Sequence, residues 1–411
     1  MNLISFFANR MYASRASRFS GLVIRISLGA TIISVAVMII TVALAAGFQE
    51  RISEKVFSFW GHIRIQEKQP GKAIIAEEIP IRHNEELIRL LRQQPGVRSV
   101  HPFATRYALL KTREQMEGVL LKGLDNPDQF RALSPFLQEG TSPHLPDSGY
   151  SRDLLLSRYT AQRLQVKTGD TLLLYFSREG AMPSARKMHI AGIYKTGIED
   201  YDQLFAIADI ELIRQLNQWE PDQVGGYELF LSDPRTMERS ANALYALSAF
   251  PATWDAISVK KVSPQLFDWL QMQDLTRNVL IGFMTVVALI NLICCLLILV
   301  LERVRMIGML KAMGATDGLV QRIFLRYGLW ITVKGVLIGT AAALLLLGLQ
   351  DKTGFITLDE SAYFMDTAAV KIIPWQVIAI ATGTITISFL VLLIPSLLVK
   401  KISPVQAIRF T

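Results

Sequence analysis

Four stretches of the chain are apolar for long enough to cross the roughly 30 Å hydrocarbon core of a bilayer as helices. They are residues 26–48, 279–301, 327–349 and 374–399. About 230 mostly polar residues, 49–278, lie between the first and the second, enough for one or two folded domains. Only short segments, 302–326 and 350–373, separate the others. The pattern predicts one span, a large domain, then three spans. Ile52, Val56 and Phe59 continue the helical spacing of the first run, and Ser263-Pro264 is a helix start leading through Leu266, Phe267 and Leu270 into the second. Both spans are therefore expected to leave the membrane as stalks.

Ala43-Leu44-Ala45 has the small residues of a signal cleavage site, but the apolar core of a signal is roughly 7–15 residues, and this run is longer. It reads as a retained anchor. Residues 1–25 place Leu3, Phe6 and Phe7 ahead of Arg10, Arg15, Arg18 and Arg25, the pattern of an amphipathic interfacial segment.

The periodicity changes inside the large domain. Residues 62–66 read as a strand, 84–94 as a helix, and 97–111 with 116–122 as a strand pair. A Pro-, Ser- and Gly-rich piece, 134–149, precedes a second unit with a helix over 151–164, a turn at Gly169-Asp170, and strands at 171–176 and 187–194. A strand at 227–231 and a helix over 236–248 return to the first unit. The expected fold class is an α-helical membrane domain with four transmembrane helices, one plus three, and a large extracytoplasmic α+β domain of two subdomains between helices one and two.

Composition agrees with a membrane protein that has a substantial polar part. The 411 residues are 51% hydrophobic and 19% charged, with a mean hydropathy of +0.32. Lysine and arginine gather beside three span ends. They are the N-terminal arginines, then Arg303, Arg305, Lys311, Arg322 and Arg326, and finally Lys400, Lys401 and Arg409. The positive-inside rule puts these segments and both termini in the cytosol. The loop 350–373, with Asp351, Asp359, Glu360 and Asp366 against Lys352 and Lys371, lies outside with the large domain. The net charge of +8 is thus partly topological and calls for no nucleic-acid partner.

Few residues are arranged for chemistry. No G-x-x-x-x-G-K-[ST] loop occurs, so the chain cannot hold ATP in the P-loop manner, and neither H-E-x-x-H nor G-x-S-x-G is found. The five histidines, His62, His83, His101, His144 and His189, are scattered over different elements and read as packing or surface residues. Adjacent Cys294 and Cys295, the only cysteines, cannot form a structural disulfide or a thiolate metal site. The expectation is a chain with no catalytic and no metal-binding residues, not an enzyme. Lys334 near the cytosolic end of span three reads as snorkelling. Asn291 in mid-span two reads as a helix–helix hydrogen bond or a polar lining for a substrate route.

Residues 302–316, ERVRMIGMLKAMGAT, are too charged to enter a bilayer. As a helix they align Met306, Met309, Leu310 and Met313 in one stripe, with Arg305, Gly308 and Ala312 on the opposite side, where Gly308 lets a partner backbone approach. Gly314 stands where a helix ends in a left-handed residue, and Thr316 where a second helix is capped. The pattern fits a surface gripped by another protein or a connecting helix lying on headgroups.

This segment is similar to the E-[KR]-x-x-x-I-G-[ILM]-L-[KR]-[AT]-x-G-A-[TS] pattern of the LolC/LolE-type lipoprotein-releasing permeases within the FtsX and MacB-like group. The closing SPVQAIRF resembles the family's P-[VA]-x-A-[IL]-[RK] tail. LLLSRYTAQRLQVKTGDTLLLYF and AGIYKTGIEDYDQLFAIADIELIRQL resemble its second subdomain, and Thr253-Trp254 followed by LFDWLQMQ resembles the run into span two. With the one-plus-three topology, the resemblance covers essentially the whole chain.

The resemblance implies a multi-pass permease of the cell inner membrane with a periplasmic domain. It would be one of two permease subunits, in a homo- or heterodimer, joined to a cytosolic ABC ATPase that carries ATP and Mg, with no cofactor bound directly. Lipoprotein substrates would pass from the membrane lipids between the helices towards a periplasmic lipoprotein carrier. Glu302, Arg303, Arg305, Ile307, Gly308, Leu310, Lys311 and Gly314 would form the coupling helix that meets the ATPase. Phe48, Ile52, Asn291, Tyr363 and Phe364 are candidates for the substrate path. In the loop SAYFMDTAAV, Tyr363 and Phe364 match the family's paired aromatics, but Ala369 stands where proline is usual. The same group contains FtsX-like signalling permeases that control a cell-wall hydrolase and MacB-like efflux or mechanotransmission permeases, the latter with a fused ATPase not found here.

Overall fold

The computed structural model describes residues 18–70, 77–146, 148–176 and 184–396. The expected interfacial helix at the N-terminus and the basic tail lie outside these residues, apart from Arg18 to Arg25. Two compact units emerge: a membrane unit containing the chain up to Gln49, Trp269–Thr357 and the chain from Thr367, and an outer unit of Glu50–Asp268 with Leu358–Asp366.

Among the described residues, four helices are long and apolar enough to cross a membrane, and each overlaps one of the predicted runs. Arg18–Trp60 and Pro264–Glu302 are each one unbroken helix of 43 and 39 residues, about 65 and 59 Å at 1.5 Å per residue. That exceeds a hydrocarbon core, as the stalk pattern required. The other two are Asp317–Thr353 and Pro374–Ser396. Inside the membrane unit, glycines set the approach of spans one and three. A Cβ on Gly339 would lie 2.7 Å from the Ile32 carbonyl oxygen, and one on Gly335 2.7 Å from Thr31 Cγ2. Gly335 and Gly339 thus form a G-x-x-x-G contact, which draws helices together where lipid offers no hydrophobic drive. Lys334 places its ammonium 4.4 Å from the centre of the Trp330 ring.

Among the described residues the outer unit has twelve strands: β1 (Ile63–Glu67), β2 (Ile81–Arg82), β3 (Val97–Lys111), β4 (Met116–Leu124), β5 (Leu137–Gly140), β6 (Asp153–Ser157), β7 (Thr171–Phe176), β8 (Ser184–Tyr194), β9 (Phe205–Asp209), β10 (Gln223–Val224), β11 (Gly226–Leu231) and β12 (Trp254–Ser258). An antiparallel run β12-β1-β11-β3-β4 continues into β9-β6-β8-β5. Strand β3 is long enough to serve two partners on one side, with Val97 to Phe103 paired to β11 and Leu109 to Lys111 to β7. Since β7 also pairs β8, the path β3-β4-β9-β6-β8-β7-β3 returns on itself as a closed ring of six strands.

The expected β-α-β-β opening is present with one addition, the short strand β2 ahead of the helix, and Asn84 caps helix Glu85–Gln93 through the Leu87 amide. The helix expected over 151–164 is instead a strand followed by a helix. Leu154, Leu155 and Leu156 are all buried, as both faces of an interior strand must be, and Ser157 caps the helix Arg158–Leu164. The helix expected over 236–248 is shorter, Met237–Leu244.

One buried histidine makes the outer unit sensitive to acid. His62 stacks on Phe57 with ring centroids 4.2 Å apart, and its Nδ1 accepts the Leu231 amide at 3.1 Å. Burial pushes its pKa down to about 4. The unfolded chain, with an ordinary value near 6.5, takes the proton first, so stability is full above that value and falls as pH drops through 6.5 towards 4. The loss is expected to reach about 3 kcal/mol. Melting the full chain in detergent between pH 7.5 and 4.5 checks this. The variant His62→Asn keeps an acceptor but does not titrate and should show a flatter profile; equal slopes in both proteins would refute the assignment.

Candidate functional site

The segment between spans two and three is a short helix bounded by a break at each end. The span-two helix ends at Glu302, Arg303 takes a non-helical conformation, and Val304–Ala312 forms a new helix. Gly314, at φ +93°, ends it. Its amide donates to the Lys311 carbonyl, and the Ala315 amide to that of Leu310 at 2.9 Å. The Thr316 hydroxyl accepts the Leu319 amide and starts the span-three helix, while Lys311 Nζ lies 2.8 Å from Asp317 Oδ1. Both terminal signals read from the sequence therefore act where they were placed.

The face of this helix differs from the expected stripe. Ile307 and Leu310 turn inward onto Val300, Val320, Ile323 and Phe324, and Gly308 is buried. Met309 and Met313 are 55% and 76% exposed, and Glu302 and Ala312 are exposed with them. The buried face is thus rotated by roughly a quarter turn from the methionine stripe. Gly308 does not offer the open approach expected of it. What the helix presents outward is a methionine pair one turn apart.

The candidate substrate-path residues divide between the units. Phe48 packs its ring 5.2 Å from that of Trp269 in the membrane unit. Asn291 Nδ2 donates to the Ser27 carbonyl at 3.1 Å, a bond from span two to span one. Ile52 is fully buried in the outer unit, Tyr363 is exposed, and Phe364 holds φ +58° with its side chain against the outer core.

The sequence reading missed a buried ionic joint where the span-one helix enters the sheet. Lys122 of β4 donates to Glu228 of β11 at 2.5 Å and to the Phe59 carbonyl in the last turn of that helix. Its ammonium lies 5.0 and 4.9 Å from the Phe59 and Trp60 ring centres. Arg64 of β1 pairs with Glu78 and lies 4.2 Å over Phe103. Glu78 also receives the Thr105 amide and hydroxyl at 2.8 Å. Burial drives the Glu78 carboxyl up and the Lys122 ammonium down, and in each case the paired charge opposes it.

A matching contact holds the start of the span-two helix. Tyr201, stacked on Phe59 at 5.0 Å, shares a 2.9 Å hydrogen bond with Ser263, and burial pushes its phenol up to about 12. A lone Lys in the apolar run VLLKG and a lone Arg in IRI were the available signals. Among the described residues, no cluster of three or more His, Cys, Asp or Glu side chains is placed to hold a metal ion.

Residues 26–247 match the MacB-like periplasmic core domain, and residues 278–404 match the FtsX-like permease C-terminal family. Over 396 residues the chain is 24% identical to the lipoprotein-releasing system transmembrane protein LolE of Haemophilus influenzae, covering 92% of this chain and 91% of that one. It is 23% identical over 421 residues to LolC of Xylella fastidiosa strain 9a5c, covering 96% of each. The crystal structure of the periplasmic region of MacB from Actinobacillus actinomycetemcomitans matches half of the chain, 91% of that structure, at 11% identity and a TM-score of 0.35.

Proposed function

Because the chain belongs to the permease family defined by the MacB-like periplasmic core domain, we propose that it extracts lipoproteins from the inner membrane as a permease subunit of a lipoprotein-releasing system. The observation that carries this is alignment with LolC and LolE chains over 92% and 96% of the chain, across membrane and outer parts alike. In this reading ATP and Mg belong to a separate cytosolic ABC ATPase. A second permease subunit completes the membrane part, and a periplasmic carrier receives the cargo.

The basic segments beside the span ends support cytosolic termini and a periplasmic outer domain. Within that domain we read two parts, the antiparallel sheet β12-β1-β11-β3-β4 and the strands β6 to β9, which complete the ring and carry β5 on β8. The joint at Lys122 and the contact at Ser263 support transmission of force between stalks and sheet. The coupling role falls to the exposed face of Val304–Ala312 and its flank.

Depletion of the chain followed by membrane fractionation tests the function. Lipoproteins are expected to accumulate in the inner membrane. Lipoproteins leaving at the normal rate would reject the reading, and an outer domain that binds a cell-wall hydrolase while ignoring acylated proteins would favour FtsX-like signalling in its place.

A further inference from the structure

The loop joining spans three and four contributes its tip, Leu358–Asp366, to the outer unit. Its neck is closed by the Thr357–Thr367 bridge and by Gln350, whose side chain bonds the Ile356 amide at 2.8 Å and the Ala368 carbonyl at 3.0 Å. The tip is a single helical turn, Glu360–Tyr363, ended by Phe364 in the left-handed region. A bulky non-glycine residue adopts that conformation only where surrounding contacts compel it.

Those contacts come from the outer domain. Lys55, late in the span-one helix, donates to the Phe364 carbonyl at 2.6 Å, and Lys195, just after β8, pairs with the Glu360 carboxylate. Gly197, at φ +76°, lies beneath the turn. A Cβ there would stand 2.8 Å from Glu360 Oε1, 3.0 Å from Lys55 Nζ and 3.1 Å from the Phe364 carbonyl oxygen. Glycine is thus required both for its backbone conformation and for the close approach. Asp202 shapes this receptor by accepting the Thr196 and Gly197 amides at 2.9 and 3.0 Å and the Thr196 hydroxyl at 2.8 Å.

Both members of the Lys195–Glu360 pair are 31% exposed. Water reaches the pair, so it can be broken and remade, unlike the dry pairs at Arg64 and Lys122. We propose that the Glu360–Phe364 turn is a latch: Lys195 and Lys55 hold the loop between spans three and four on the outer domain, and cargo release requires that hold. Glu360 and Lys195 are positioning residues in this scheme. They hold the tip of the loop, Leu358–Asp366, within the outer unit. The proposal rests on the transport reading for its consequence but not for the contact itself.

The test has two arms, both on the full chain in native membranes. A carbodiimide, which joins a carboxylate directly to a neighbouring amine, is expected to link Glu360 to Lys195, with the linked peptide seen by mass spectrometry and lost in Glu360→Gln. Failure to find that link in the unaltered chain would overturn the contact whatever the protein transports. In the second arm Glu360→Lys is expected to slow lipoprotein release by about ten-fold with membrane level and ATPase association unchanged. Adding Lys195→Glu should restore release to within about two-fold. Normal release by Glu360→Lys, or no recovery in the double variant, would overturn the latch. A fault in the transport reading would show earlier, as normal release after depletion of the unaltered chain.

Discussion

Replacing Lys122 by methionine is expected to destabilise the outer domain by about 3–5 kcal/mol, the cost of leaving one member of a dry ion pair behind. The side chain is 2% exposed, as is Glu228 opposite it. Methionine fills a similar volume, so the loss is electrostatic and not one of packing. The Glu228 carboxylate would remain in an apolar interior, and the Phe59 carbonyl would lose the ammonium that caps it. Because Phe59 is in the last turn of Arg18–Trp60, the damage falls where the stalk enters the sheet. The double variant Lys122→Met, Glu228→Leu removes both charges together with their desolvation cost, and is expected to recover most of the stability. Arg64 keeps Glu78 as its own partner there. Thermal melting of the full chain in detergent measures both. A single variant within about 1 kcal/mol of the parent, or a double no better than the single, would show that the pair is not what anchors the helix.

How much of this was legible in the sequence depended on the range of the interaction. The four spans, their extension as stalks, the cap at Thr316 and the reversal at Gly314 are all local signals, set by hydropathy or by one residue's backbone preference, and they appear where expected. The run LLL at 154–156 was ambiguous, because a short apolar stretch before a helix continues either period; tertiary pairing with β8 and β9 decided for strand. The helix between spans two and three forms where expected, but its buried face is not the one expected. Methionines at i, i+3 and i+7 make a stripe, yet Ile307 and Leu310 found the neighbours on span three. Of the latch only Phe364 was singled out, and for another role; its pairings left no local trace, since Lys55 and Phe364 are 309 positions apart and Lys195 and Glu360 are 165 apart.

That rotated face changes which substitution tests the coupling role. Tryptophan at Gly308 would strike the helix's own packing, because the glycine is buried. A loss of ATPase binding there would say nothing about docking. Met309 and Met313 are the residues to alter: both are large, apolar and exposed on one side, as an anchor awaiting a pocket should be. Burying two such side chains contributes about 1.5–3 kcal/mol each, and a carboxylate in their place adds a desolvation cost.

The double variant Met309→Glu, Met313→Glu is therefore expected to reduce co-purification of the ATPase by roughly a hundred-fold or more. Glutamate is a good helix former, and neither position touches the buried face, so membrane insertion and yield should stay at the parent level. Leucine at both positions keeps the apolar area and should retain binding, which separates docking from any effect on the fold. Normal co-purification with the glutamate variant would move the ATPase contact away from this face, and binding lost equally with leucine would make the requirement one of methionine shape in place of apolar burial.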